Sequence, residues 1–131
     1  MKKMFMIATL ALLIPVTSAF AHHRFADEFD ANAPMTVKGT VTKVEWGNPH
    51  VMIYADVKDN EGHTQNWGFE AAGPALMEIK GWKQDMFKAG EEITVHAYKS
   101  KQDTNRAGAR MITLASGKSM SVAPNDGGPK T

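Results

Sequence analysis

The sequence predicts an all-β domain with one short helix, folded as a small five- to six-stranded barrel of the OB type. Segments from about residue 35 onward alternate apolar and polar residues with a period of two, which is typical of half-buried strands. One stretch of helical periodicity interrupts them between the third and fourth segments. A helix in that position can close one end of a small barrel. A flat β-meander with one packed helix is the alternative.

The first three strands are predicted from their alternation. In the first, one residue must be inserted near residue 42 or 43 to keep the apolar side chains on one face, which indicates a β-bulge. The second strand covers about residues 50–57 and the third about 64–70, with a polar hairpin turn at 58–62. The apolar face of the first strand comprises Val37, Gly39, Val41, Val44 and Trp46.

The helix begins at Gly73-Pro74, because proline suits a first helical turn, and Gly81 ends it. Strand alternation returns over about residues 92–99 and again over about 109–115. A turn at Ser116-Gly117 then leads to a short extension of the sheet. The apolar residues at helical spacing are Ala75, Leu76, Ile79 and Trp82.

The first 21 residues have the layout of a cleavable secretory signal, with Lys2 and Lys3 before an apolar run and small residues up to Ala21. The run is shorter than a membrane-spanning helix and Pro15 interrupts it, so we expect no stable membrane insertion after cleavage. The signal predicts localisation in a bacterial periplasm. The expected organisation is a signal peptide (1–21), an N-terminal arm (22–34), a barrel (35–122) and a disordered tail (123–131).

Composition narrows the classes of function. A chain of 131 residues has room for one domain, and the lack of cysteine excludes disulfides, thiolate metal sites and a cysteine nucleophile. Cleavage removes two of the 15 basic residues and leaves 13 against 14 acidic ones, a net charge of about −1. A secreted domain so close to neutral offers no positive groove for nucleic acid.

Cleavage after Ala21 makes His22 the first residue. Its α-amine and ring can chelate one ion, because a free amine gives up its proton readily when a metal competes for it. The Asn48-Pro49 turn predicts that the His50 side chain lies at the rim of the barrel rather than in its core. His50 is therefore the leading candidate for a further imidazole, and His23 is a weaker one. Such nitrogen ligands suit a copper ion. Cleavage one residue earlier would place His23 third, which gives a different copper chelate, and the alternative to both is an incidental pair of histidines.

Other groups are weaker candidates. Met52 shares the face of His50 and is a candidate soft ligand, although packing is the commoner role. His96 lies on the predicted polar face of the fourth strand, together with Thr94 and Tyr98. Glu70 is expected to be exposed, unless it pairs with Arg24 or orients a histidine. The sequence lacks a phosphate loop, a nucleophile elbow and a helical pair of zinc histidines, so a non-enzymatic role is favoured.

A rival hypothesis is a barrel that binds a small ligand or a periplasmic protein partner. Trp46, Tyr54 and Trp67 would form its recognition surface together with the turn at residues 48–50. The N-terminal arm would then only pack. An extra residue before His22 would spare this function, whereas it would destroy a chelate that uses the free amine.

Five motifs along the chain are Ala21-His22-His23-Arg24-Phe25, Asn48-Pro49-His50, Trp67-Gly68-Phe69-Glu70, Gly81-Trp82 and Lys88-Ala89-Gly90. Together they resemble an uncharacterised family of small proteobacterial periplasmic proteins, classed as a domain of unknown function. The resemblance covers nearly the whole mature chain, although the family commonly has Ser at the position of Arg24. It implies secretion and a single small β domain, and supplies no established activity. Its pattern includes His22, His23 and His50.

Overall fold

The computed structural model describes residues 25–124. A helical turn at residues 25–28 is followed by six strands. One α-helix and a short 3-10 turn lie between the third and fourth strands. The elements are β1 (Phe29–Glu45), β2 (Met52–Lys58), β3 (Thr64–Glu70), α1 (Pro74–Ile79), the 3-10 turn (Gln84–Met86), β4 (Glu92–Ser100), β5 (Arg106–Leu114) and β6 (Ser119–Ser121).

The strands close into a barrel. Neighbouring strands follow the order β3-β2-β1-β4-β5-β6 and pair antiparallel, while β3 also pairs with β5 in parallel. That parallel pairing joins the two ends of the sheet, so β1, β2, β3, β5 and β4 form a ring and β6 extends it beside β5. With α1 between β3 and β4, this arrangement is that of an OB-type barrel. The predicted fold is confirmed, and the flat β-meander is wrong.

Strand β1 is longer than predicted and is bulged. Its register with β2 shifts between Val41 and Lys43, as the alternation predicts. It begins at Phe29 rather than near residue 35, so residues 29–34 of the predicted arm belong to the strand. The register of β1 with β4 is also irregular between Phe29 and Pro34. This irregularity allows the start of β1 to pair with β4 although residues 29–34 do not alternate apolar and polar side chains.

Helix α1 presents a different side chain to the core from the one predicted. Met77 is fully buried, whereas Ile79 is 81% exposed. The helix has only six residues, and Gly81 follows it with a φ of 96°, so the chain turns before a long apolar stripe can form. Trp82 is buried beyond that turn, as predicted, and its Nε1–H donates a hydrogen bond of 2.8 Å to the carbonyl of Ser121.

Two separate hydrophobic clusters stabilise the fold. The main core fills the barrel, and its largest fully buried side chains are Trp82, Phe69, Ile53, Met77, Ile93 and Ile112. A second cluster of Phe25, Phe29 and Tyr98 lies apart from it. Tyr98 was predicted on a polar face, but it is buried because the two N-terminal phenylalanines cover it.

Strand β5 begins at Arg106 rather than near residue 109, because its first three residues pair in parallel with the end of β3. Most of the other predicted bounds agree with the structure. Strand β3 has the predicted bounds, and β6 is the predicted extension after the turn at Ser116-Gly117. The signal peptide and most of the predicted tail fall at residues 1–24 and 125–131, outside the described residues. Within residues 25–124, no helix has the length and apolar character needed to span a membrane.

Candidate metal centre

The backbone of β2 and β3 places His50 beside the end of β3. The pairing of these strands continues past their ends, because the amide of Ala71 donates to the carbonyl of Val51 at 2.9 Å and the amide of Val51 donates to Ala72 at 3.0 Å. The loop before His50 also packs closely on the chain before α1. A Cβ at Gly73 would lie 2.8 Å from the carbonyl oxygen of Pro49, so only glycine fits there.

Both ring nitrogens of His50 face acceptor oxygens. Nδ1 lies 3.0 Å from the carbonyl oxygen of Ala71, and Nε2 lies 3.3 Å from Oε1 of Glu70. A neutral imidazole has one N–H and so satisfies one of these two oxygens. The second contact is favourable when Nε2 carries either a proton or a metal ion. The side chain of His50 is 25% exposed, so it lies at the rim of the barrel, where the sequence predicts it.

Glu70 is the buried acidic residue of this site. Its exposure of 9% makes it the one buried charged residue within 25–124. Its Oε2 accepts a hydrogen bond of 2.7 Å from Nη2 of Arg106, and this bond raises the pKa of the guanidinium although partial burial opposes the rise. Glu70 is therefore not exposed, and it contacts a histidine as one of the sequence hypotheses held. Its arginine partner is Arg106, whereas Arg24 lies outside the described residues.

The closure of the barrel brings His50, Glu70 and Arg106 together, and we call these three residues the trio. Arg106 is the first residue of β5, and the parallel pairing sets it opposite Gly68, two residues before Glu70. On the other side of β3, Met52 is the direct partner of Glu70. Directly opposite residues share a face of a sheet, so Met52 lies on the face that carries the carboxylate.

The other histidine candidates do not join this site within the described part of the chain. His22 and His23 lie outside the described residues. The Nδ1 atom of His96 lies 2.9 Å from the hydroxyl of Thr36, and His96 pairs with Met111 of β5. Residues 25–124 contain no group of three or more histidine, aspartate or glutamate side chains placed to hold a metal ion. The trio supplies two such donors, His50 and Glu70.

The structure does not bring the three predicted aromatic residues onto one surface. Trp67 stacks on Phe69 with ring centroids 6.1 Å apart, and both Trp46 and Trp67 pack against the main core. Tyr54 is opposite Gly68 in the register, so it lies on the other face of the sheet from Trp67. Its hydroxyl donates to Glu45 at 3.4 Å, and the ammonium of Lys43 lies 4.5 Å from its ring centroid.

Sequence reasoning missed Arg106 as a site residue. It lies after a polar loop, 36 positions from Glu70, and no local pattern marks it. The available signal is the topology itself, because an OB-type barrel requires a parallel pairing of its third and fifth strands. That pairing brings the start of the fifth strand beside the end of the third.

Comparison with known proteins places the chain in a family. None of the curated proteins compared with the chain matches it. One family model, described as a family of unknown function (DUF6152), matches residues 11–111. The matched span includes His50, Glu70 and Arg106 and covers most of the 131 residues. The chain therefore belongs to the family of unknown function DUF6152.

Proposed function

We propose that this protein binds a transition-metal ion, copper in preference to others, in a bacterial periplasm. The ligands would be Nε2 of His50, the α-amine and ring of His22 after signal cleavage, and Oε1 of Glu70. His23 is a weaker candidate. The protein would bind, buffer or deliver the ion. The resemblance to proteobacterial periplasmic proteins and the signal-like first 21 residues support this location.

The observation that carries the proposal is the orientation of His50. Metal-binding histidines commonly donate one ring N–H to a backbone carbonyl, which fixes the ring and leaves the other nitrogen for the metal. In this chain, the carbonyl oxygen of Ala71 lies 3.0 Å from Nδ1. Nε2 is therefore the ligating nitrogen, and it faces Glu70.

The separation of the two donor atoms fits one ion. Ligand atoms about 2.0–2.2 Å from a first-row ion lie roughly 2.9 Å apart in a square arrangement and about 3.4 Å apart in a tetrahedral one. Nε2 of His50 and Oε1 of Glu70 are 3.3 Å apart. Arg106 holds the other oxygen of Glu70, so we expect the carboxylate to bind through Oε1 alone.

The position on the barrel also supports binding. OB-type barrels commonly bind their ligands on the face of the second and third strands, beside the loop between the first and second strands. His50 lies in that loop, two residues before β2, and Glu70 ends β3. The nitrogen-rich donor set with one carboxylate suits cupric ion better than calcium or magnesium, which prefer oxygen ligands.

Calorimetric titration with cupric ion tests the proposal. The sample is secreted protein whose first residue is identified as His22 by intact mass. We expect a Kd below micromolar and a loss of about tenfold or more in His50→Ala and in a form with one extra residue before His22. His96→Ala is the matched control and should bind as the wild type does. A Kd of micromolar or weaker, or an unchanged Kd in His50→Ala, would contradict the proposal.

A second candidate is the binding of a small ligand or protein partner at a cleft beside Trp46. This cleft has a volume of about 530 Å³, and its lining includes Trp46, Trp82, Glu78 and Lys83. The exposed Ile79 belongs to the same helical segment. The extra residue before His22 separates the two candidates, because it blocks the chelate and leaves this cleft unchanged.

A further inference from the structure

Two exposed side chains that bind soft metal ions face each other on β4 and β5. In the register of these strands, His96 is directly opposite Met111. The preceding residue of β4, Val95, is opposite Ile112, and both of these are fully buried. Successive residues of a strand point to opposite faces, so His96 and Met111 point outward. Both are exposed, Met111 at 41%. An imidazole and a thioether therefore lie side by side on the outer surface of the barrel.

A β-bulge in β5 produces this pair. The register with β4 shifts between His96 and Ala97 and passes over Arg110. In a regular ladder, Arg110 would be opposite His96. Met111 would then be opposite Val95 and would point into the core. The extra residue therefore moves the thioether to the outside, beside the imidazole, in the way that bulges commonly redirect side chains near functional sites.

A hydroxyl group orients the imidazole. Thr36 of β1 is opposite His96 on the other side of β4, and its Oγ1 lies 2.9 Å from Nδ1 of the ring. When Nδ1 carries the proton, it donates to this hydroxyl, and Nε2 keeps the lone pair that a metal ion requires. The contact with Thr36 therefore prepares Nε2 of His96 as the ligating atom.

The spacing of the pair suits an ion with two ligands. Directly opposed residues of antiparallel strands have Cβ atoms about 4.5–5.5 Å apart. A nitrogen at about 2.0 Å and a sulfur at about 2.3 Å on opposite sides of one ion are roughly 4.3 Å apart. These two spans are similar, so side chains that rise from the sheet in parallel can bind one ion without a change of the backbone.

We propose that His96 and Met111 form a second metal site, which binds a soft monovalent cation of the cuprous or silver type. Thioether sulfur prefers soft ions, whereas cupric ion takes several nitrogen and oxygen ligands in a tetragonal arrangement. Two neutral donors therefore favour the monovalent ion. For the same reason, His96→Ala remains a valid control for the cupric titration.

This second site is separate from the trio and does not rest on the proposed function. Tyr98 follows His96 by two residues on β4, and it is opposite Gly108, which pairs with Glu70. Tyr98 is only 8% exposed, because the aromatic cluster at the start of the chain covers it. A buried aromatic side chain therefore lies between the exposed pair and the carboxylate of the trio.

Silver ion is the probe for the test, because it is soft, monovalent and stable to oxidation in air. The secreted protein is titrated with silver nitrate in a buffer without chloride, and NMR follows the methionine methyl groups and the histidine nitrogens. We expect the methyl resonance of Met111 and the Nε2 resonance of His96 to shift together and to saturate near one equivalent. Met120 lies on the neighbouring strand and packs against the main core, so its methyl resonance should not move.

Variants assign the ligands. Met111→Leu and His96→Ala change exposed residues, so both should fold, and each should weaken silver binding at this site at least about tenfold. The matched controls are Met120→Leu and His63→Ala, because the first keeps the exposed sulfur and the second removes an exposed histidine of the β2–β3 turn. Both controls should leave the shift of the remaining ligands unchanged.

The outcomes separate this site from the trio. In His50→Ala, the Met111 methyl should still shift as in the wild type, and loss of the shift there would assign the silver to the trio and overturn the inference. A Met111 resonance that stays fixed up to about 1 mM silver, or that shifts equally in His96→Ala, would also overturn it. A protein that shows the expected shift but takes up no cupric ion would contradict the proposed function alone.

Discussion

Nε2 of His50 lies 3.3 Å from Oε1 of Glu70, and Arg106 holds the other carboxylate oxygen of Glu70 at 2.7 Å. Three segments distant in sequence therefore meet at one buried carboxylate. Arg106 offsets the desolvation cost of burying Glu70, because a buried carboxylate needs a charged or hydrogen-bonding partner. The histidine contact makes the same carboxylate a candidate metal ligand. The trio therefore links the stability of the barrel to its proposed chemistry.

Glu70→Gln should destabilise the fold, because it removes the charge that pairs with Arg106. We expect a loss of about 1–2 kcal/mol in the free energy of unfolding, less than for a fully buried pair because the side chain of Arg106 is 42% exposed. Urea unfolding measures it. Glu92→Gln is the control, because its contact with Lys38 is exposed, and it should lose less than about 0.5 kcal/mol. Equal losses in the two variants would show that the buried contact adds nothing.

Local pattern was enough for most of the fold. The period-two alternation predicted the bulge near Val41 and the bounds of β3, since both depend on which side chains face the core. It failed for Ile79 and for the start of β1 at Phe29. At these two places the structure depends on the packing of a six-residue helix and of an aromatic cluster. Neither kind of packing produces a periodic pattern in the sequence. For the site, the turn before His50 predicted its place at the rim, whereas the pairing of Glu70 with Arg106 depends on barrel closure.

The ion pair of Lys43 and Glu45 should lower the pKa of Glu45 measurably and should make its contribution to stability depend on pH. Their charged atoms are 2.8 Å apart, and the hydrogen bond from Lys43 holds the pKa of the Glu45 carboxyl below its ordinary value of 4.5. A depressed carboxyl pKa stabilises the folded state above the ordinary pKa, and this stabilisation is lost as pH falls through the lowered value. Lys43→Met should return the pKa of Glu45 toward 4.5 in a carboxyl NMR titration. An unchanged pKa in this variant would contradict the assignment.

Trp82→Phe should strongly lower the stability of the folded protein. Trp82 is 1% exposed, and its indole N–H bonds to the carbonyl of Ser121 at 2.8 Å. Phenylalanine leaves a void and an unpaired carbonyl, which together cost roughly 2–4 kcal/mol. Thermal unfolding measures the loss. Trp67→Phe is the control, because Trp67 is only partly buried, and a loss there as large as in Trp82→Phe would count against the role of the Ser121 bond.

Met77→Ala and Ile79→Ala test which side of α1 faces the barrel. Met77 has no exposed surface, so its truncation removes buried volume and should cost about 2–5 kcal/mol in the free energy of unfolding. Ile79 is 81% exposed, so its truncation should change stability by no more than about 0.5 kcal/mol. The periodicity of the sequence predicts the reverse, with Ile79 in the core. Chemical denaturation of the two variants therefore separates the periodic pattern from the packing that a six-residue helix permits, and a larger loss at Ile79 than at Met77 would show that the helix is rotated relative to the orientation described above.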